Sequence, residues 1–373
     1  MKKYLFIRLL AVLSCFVAGG IVTGGALAGA KIYISQGLNV PVAIVTEQEG
    51  QNTGEVDQKI IIAMAGDVLL ASGVGAGILR NGPDYPWQDT ARVLKYADIA
   101  IANLECAVSS RGEPMPDKEY TFRATPDALK GAVNAGVDVF TLANNHVLDY
   151  GMTAFLDTMQ HLEERGISYS GAGKNEDEAY SPVIINKNEK NIAVFAFSRV
   201  IPRTDWIAGK NKPGLASGYN YKLMLEKIKM AEEMADIIIV SIHWGQELDE
   251  FPNGEEINLA RRIIDAGADV VIGHHPHVLQ GVEFYRDKLI AYSLGNFIFT
   301  SSSHKSRQGA ILQVTFEDSG EFSARVIPTY ISDGTTAILR GVDRKMVLGR
   351  MNNLSSQLGT VVTETGALEV KTN

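Results

Sequence analysis

Val270-Val271-Ile272-Gly273-His274-His275-Pro276-His277-Val278 sets a short β-branched run directly against three histidines in four positions. A brief apolar run that ends in a polar cluster reads as a buried strand whose carboxyl end opens outward. The same pattern recurs along the chain. Residues 60–65 run into Gly66-Asp67, residues 99–102 into Asn103-Leu104-Glu105, and residues 137–143 into Asn144-Asn145-His146 and then Asp149-Tyr150-Gly151. Residues 237–242 lead to His243-Trp244-Gly245-Gln246-Glu247, and residues 289–292 to Ser293-Leu294-Gly295-Asn296. In α/β sheets the carboxyl ends of strands share one crevice, so these polar groups are expected to converge.

Between the runs lie amphipathic stretches expected as helices over 87–96, 126–135, 152–165, 221–235 and 255–266. Gly136, Gly166 and Gly267 follow three of them, where a left-handed C-terminal residue is wanted. Residues 283–292 read as a hairpin turning at Arg286-Asp287-Lys288, and 308–316 with 322–329 as a second around Asp318-Ser319-Gly320. Strand–helix alternation that ends in hairpins predicts an α/β fold with mixed sheets. After residue 332 the pattern weakens, and residues 354–373 read as a loosely ordered tail. The expected organisation is an N-terminal segment over 1–31, a linker over 32–58, the main domain over 59–331 and a C-terminal extension over 332–373.

Composition narrows the function. With 46% hydrophobic and 21% charged residues in 373, the chain is globular rather than disordered or polytopic. A net charge of -8 argues against a nucleic-acid partner, which needs a basic face to neutralise phosphates. Two cysteines, Cys15 and Cys106, make neither a disulfide framework nor a thiolate zinc site. Cys106 follows Glu105 in an apolar stretch and reads as a small core residue.

The N-terminus carries Lys2, Lys3 and Arg8, and no further charge until Lys31. As a helix, residues 9–30 would reach about 33 Å, enough to cross a bilayer core. The basic flank places the N-terminus inside and the body outside the cell. An uncleaved transmembrane anchor is the expectation. A cleavable signal ending at Ala26-Leu27-Ala28 would instead release a secreted protein, and a lipoprotein signal at Ser14-Cys15 is disfavoured by the apolar stretch that follows.

Five of the seven histidines, His146, His243, His274, His275 and His277, fall at strand ends together with Asp67, Glu105 and Asn145. His161 on a helix and His304 in a polar loop read as surface residues. Imidazoles and carboxylates buried side by side are costly unless a cation neutralises them. An oxygen and nitrogen donor set without thiolates suits Zn²⁺, Mn²⁺ or Fe better than Ca²⁺. His275-Pro276-His277 presents two imidazoles to one centre. Ser293 and Asn296 read equally as substrate contacts or as shapers of a strand exit. Gly171-Ala172-Gly173 reads as a tight turn, and Trp244 either walls the crevice or packs.

These motifs, in this order over residues 59 to 331 and preceded by an anchor, resemble the CapA/PgsA family of capsule poly-γ-glutamate biosynthesis proteins. That family is similar to the calcineurin-like metallophosphoesterases. The resemblance implies a sandwich of two mixed β-sheets flanked by helices, with one or two divalent ions at the strand ends. It implies Asp67 and His277 on a first metal, Asn145, His243 and His275 on a second, and His146 as the catalytic histidine. The sequence departs from the phosphoesterase pattern at Leu69, where a histidine is usual, and at the bridging position, which falls on Asn103 or Glu105. Glu105 is the better ligand, because a neutral amide does not offset the charge of a metal pair. Asn103, His274, Ser293 and Asn296 are then candidates for substrate binding.

The expected function is that of an exported, membrane-anchored accessory protein for poly-γ-glutamate synthesis or export, working beside membrane subunits of a polymer synthase. The alternative is a metal-dependent hydrolase of a phosphoester, or of an amide, not tied to a capsule. Two basic loop groups, Arg111 with Lys118 and Arg123, and His304 with Lys305 and Arg307, are candidates to meet an anionic polymer, although solvated loop charge is the simpler reading of both.

Overall fold

The computed structural model describes residues 59–372. The anchor and linker expected over residues 1–58 lie outside the described residues. Among the described residues no helix is long and apolar enough to cross a membrane.

Two mixed sheets face each other. The first runs Thr335–Ile338, Phe322–Ser332, Gln308–Phe316, Ile60–Val68, Ile99–Leu104, Val139–Thr141, Ser168–Ser170, with Asn296–Ile298 paired to the end of Ile60–Val68. Its pairs are parallel from Ile60–Val68 to Ser168–Ser170 and antiparallel on the Gln308–Phe316 side. The second runs Val282–Tyr285, Lys288–Ala291, Val270–His274, Ile237–His243, Lys190–Ser198, Val183–Lys187. It is parallel at its centre and antiparallel at both edges.

Alternation within each strand explains the layers, since successive side chains point to opposite faces. Ile60, Ile62 and Met64 meet Ile192, Val194, Ile239, Val270 and Ile272 in a core between the sheets. Their neighbours Ala63 and Ala65 face the other way, into a core with Val74, Leu129, Phe155 and Met159. Those residues come from helices Ser72–Asn81, Leu129–Ala135 and Gly151–Glu164. Across the sandwich, Phe195, Phe197, Val240 and Ile242 pack on Met224, Ile228, Leu259 and Ile263 of helices Tyr221–Ala231 and Gly254–Asp265. The central strands are buried on both faces, so they read as unbroken apolar runs. The molecule is a mixed α/β sandwich flanked by helices, as expected.

The structure corrects two expectations and adds one helix that the sequence reading did not include. The helix expected over 87–96 is a 3-10 turn Tyr85–Trp87 followed by a short helix Ala91–Tyr96. Helix Ser72–Asn81 forms although it holds Gly73, Gly75 and Gly77, residues that disfavour helix. Residues 354–373 are not a loose tail. Strand Thr335–Ile338 extends the first sheet, and helix Gly341–Ser356 buries Val347, Leu348, Met351 and Leu354 in the inter-sheet core. A hairpin of Thr360–Val362 and Leu368–Val370 adds Val362 and Leu368 to it.

Candidate metal centre

Register brings the strand-end residues together. Asp67 stands beside Asn103 on one neighbour and beside Asn296 on the other, and Asn103 stands beside Thr141. In the second sheet His243 pairs with His274. Two glycines permit the close approach. A Cβ on Gly66 would lie 1.9 Å from the Gly295 carbonyl oxygen, and one on Gly273 would lie 1.8 Å from that of Tyr292. His275 and His277 have φ of 93° and 56°, a region that side chains other than glycine seldom adopt. The strained turn around Pro276 aims both imidazoles at the same carboxylates.

Asp67 is fully buried, and its Oδ1 lies 2.9 Å from both Asn103 Nδ2 and His274 Nδ1. Its Oδ2 accepts the His275 backbone N–H at 3.3 Å and lies 3.3 Å from His277 Nδ1. Glu105, also fully buried, places Oε1 at 3.6 Å from His243 Nε2 and 3.7 Å from His277 Nε2. Asn145 Oδ1 lies 2.9 Å from His243 Nε2. The rings of His243 and His275 are 4.9 Å apart.

The choice between Asn103 and Glu105 follows from hydrogen bonding one step away. Asn144 Oδ1 accepts the backbone N–H groups of His146 and Val147, so its amide nitrogen is the end that faces Asn103. That nitrogen donates to Asn103 Oδ1 at 3.0 Å. Asn103 therefore turns its NH₂ toward Asp67 and Glu105, and an NH₂ has no lone pair for a metal. Glu105 is the acceptor left at that position.

Ligand atoms of Glu105, His275 and His277 all lie within 4.8 Å of one another, and so do those of Asp67, Glu105 and His243. The two groups share Glu105. These groups set His277 with His275 and His243 with Asp67, whereas the resemblance implied Asp67 with His277 and His243 with His275; these four and Glu105 belong to one cluster. Three buried atoms here have no hydrogen-bond partner: Glu105 Oε1, His274 Nε2 and His275 Nδ1. Unpaired buried polar atoms are costly, and such a donor set fits a divalent cation.

Electrostatics agree. Burial, helped by the neighbouring Asp67, raises the Glu105 carboxyl well above its usual range. Burial also raises Asp67, but hydrogen bonds from His274 and His277 outweigh it and hold that carboxyl well below. Burial, then the charge of His275, pushes His243 well down, and burial with His277 lowers His275 to about 3. Both present neutral imidazoles. Burial lowers His277 too, yet the charge of Glu105 and the bond to Asp67 win and lift it to about 10. Without a cation, a proton on His277 neutralises the carboxylates.

His146 stands beside this cluster with Nδ1 2.7 Å from Asp149 Oδ2 and its ring 4.7 Å from that of Phe122. Burial lowers its pKa despite Asp149. Lys118 Nζ lies 3.0 Å from His146 Nδ1, pairs with Asp149, and sits over the ring of Trp206 at 5.4 Å. Lys118 thus belongs to the site. The one hint in the sequence was its place in a basic loop, for which solvated charge was the simpler reading.

The remaining candidates are structural in their contacts. Ser293 donates its hydroxyl to the Val278 carbonyl and accepts from the Gly295 N–H, so its single O–H is used in the turn. Asn296 holds His277 Nδ1 at 2.9 Å and donates to the carbonyls of His277 and Ser306, which makes it a support for His277 rather than an open substrate contact. Trp244 packs, donating to the Tyr292 carbonyl. Arg111 pairs with Asp157, and Arg123 stacks on Tyr150. His161 bonds Glu164 on the helix surface, and His304 lies against Tyr330.

The chain is similar to several known proteins. Capsule biosynthesis protein CapA of Bacillus anthracis is 31% identical over 325 residues, which cover 85% of this chain and 79% of that protein. PGA biosynthesis protein CapA of Bacillus subtilis is 31% identical over 75% of this chain and 74% of that one. A solved 5'-nucleotidase from Candida albicans overlaps 72% of this chain and 51% of its own, with 10% identity and a TM-score of 0.38. The sequence pattern of the bacterial capsule synthesis protein PGA_cap matches residues 61–301, from the strand that carries Asp67 past Asn296, and the chain belongs to that family.

Proposed function

We propose that this chain is an exported, membrane-anchored accessory protein for making or moving a poly-γ-glutamate capsule, and that it works through a divalent-metal centre. Family membership supports the capsule role, and the basic flank before an uncharged run supports the anchor. The observation that carries the metal reading is the pair of ligand groups sharing Glu105, with unpaired atoms on Glu105 and His275.

In this reading Asp67, Glu105, Asn145, His243, His275 and His277 hold one or two ions of Mn²⁺, Zn²⁺ or Fe. A bound ion would supply Lewis acidity and a water of lowered pKa. Asp149 holds His146 by Nδ1, which leaves Nε2 outside that bond and available for proton transfer. Lys118 adds positive charge where an anionic group enters. The Asn103 amide and the His274 imidazole orient Asp67.

A second reading, a metal-dependent phosphoester or amide hydrolase outside a capsule system, is favoured by the His146–Asp149 pair. The two separate experimentally. Elemental analysis of the purified full chain, beside a His275→Ala/His277→Ala control, tests the centre itself; no metal after reconstitution with Mn²⁺ or Zn²⁺ would refute it. If Asp67→Ala abolishes metal binding yet polymer production continues, hydrolysis is not the capsule role.

A further inference from the structure

Arg350 lies on helix Gly341–Ser356, beyond the matched residues 61–301. Its Nη1 donates to Gln308 Oε1. Its Nε and Nη2 are buried and have no hydrogen-bond partner. Glu250 Oε2 forms an ion pair with Nη2 at 3.6 Å. The other oxygen of Glu250 pairs with Lys305 Nζ. One carboxylate is therefore straddled by two cations, and the guanidinium still has unused donors in the fork geometry that suits a carboxylate. The hydroxyl of Ser306, next to Lys305 in sequence, is likewise buried and unpaired.

This notch adjoins the metal cluster. Asn296 bonds His277 through Oδ1 and the Ser306 carbonyl through Nδ2. Glu250 rides on the irregular segment after Trp244, which crosses the histidine turn through the Leu248 N–H to the Pro276 carbonyl. That segment has Leu248 at φ 68° and exposes both Leu248 and Phe251. It belongs to no helix or strand, so Glu250 can leave without breaking the sandwich.

We propose that Arg350 and Lys305 form a carboxylate subsite beside the metal centre, which takes a side-chain carboxylate of an acidic polymer, and that Glu250 fills it until displaced. The inference rests on the anionic-polymer reading above, and it makes Glu250 a built-in competitor. A chain of net negative charge gains a local cationic contact this way without a broad basic face.

The test is binding of a fluorescently labelled poly-γ-glutamate oligomer to the purified full chain, with bound metal measured on each sample. Arg350→Gln is expected to weaken binding about tenfold, the loss of a charge-assisted contact. Glu250→Gln is expected to tighten it several-fold, a gain that misfolding cannot produce. If wild type binds the oligomer and both variants match it, the subsite is refuted while the polymer reading stands. If wild type fails to bind at any concentration reached, the polymer reading and the subsite fall together.

Discussion

Asn144 Nδ2 donates to Asn103 Oδ1 at 3.0 Å, and this bond decides which end of Asn103 meets the carboxylates. The same nitrogen donates to the Leu104 carbonyl at 2.8 Å. Replacing Asn144 with Asp keeps the acceptor for the His146 and Val147 N–H groups but sets oxygen against oxygen at both other contacts. With the site fully buried, Asn144→Asp should destabilise the fold by about 1–3 kcal/mol. Urea denaturation measures it, and an unchanged midpoint would mean that Asn103 is not oriented from this side.

Because both ligand groups contain Glu105, its loss should act on the whole centre, whereas loss of His243 should leave the Glu105, His275 and His277 group complete. Elemental analysis after dialysis should find almost no metal in Glu105→Ala and about half the wild-type content in His243→Ala. Equal retention in the two variants would contradict a shared bridging carboxylate.

Much of this was legible before any coordinates. Strand-end polar clusters are readable because each buried run is unbroken and stops at the crevice, so the convergence of Asp67, Glu105, Asn145, His243, His275 and His277 could be read from the sequence. That of Lys118 could not, because a lysine in a loop carries no periodicity that says whether it points outward or in. The C-terminal helix was hidden for a different reason. Its buried face of Val347, Leu348, Met351 and Leu354 is blurred by Val342 and Met346, which are 74% and 58% exposed. Helix Ser72–Asn81 was hidden by its glycines. A Cβ at Gly73 would lie 2.7 Å from the Thr300 side chain, and one at Gly77 would lie 2.9 Å from that of Tyr85, so tertiary approach overrides propensity there.

The C-terminal helix supplies a direct test of that packing. Met351 is fully buried between the sheets, so Met351→Ala should cost about 2–5 kcal/mol. Met346→Ala on the exposed face of the same helix should stay within about 0.5 kcal/mol of wild type. Equal effects in chemical unfolding would mean that residues beyond 332 do not fold with the main domain.

The protonation of His277 makes a prediction with a definite sign. Its folded pKa of about 10 stands above the ordinary 6.5, so the folded chain holds a proton that the unfolded chain releases. That stability is complete below about pH 6.5 and disappears as pH rises toward about 10. Glu105, also raised, acts in the same direction from its own lower starting point. Metal-free protein should therefore lose melting temperature steadily between about pH 6.5 and about pH 9.5, and His277→Asn should flatten most of that slope. Mn²⁺ or Zn²⁺ takes over the neutralising role from the proton, so loading should release protons and tighten as pH rises. Melting curves with chelator and with added metal, run across that range, should diverge as pH increases. Parallel curves would show that the ion does not compete with the His277 proton and binds elsewhere.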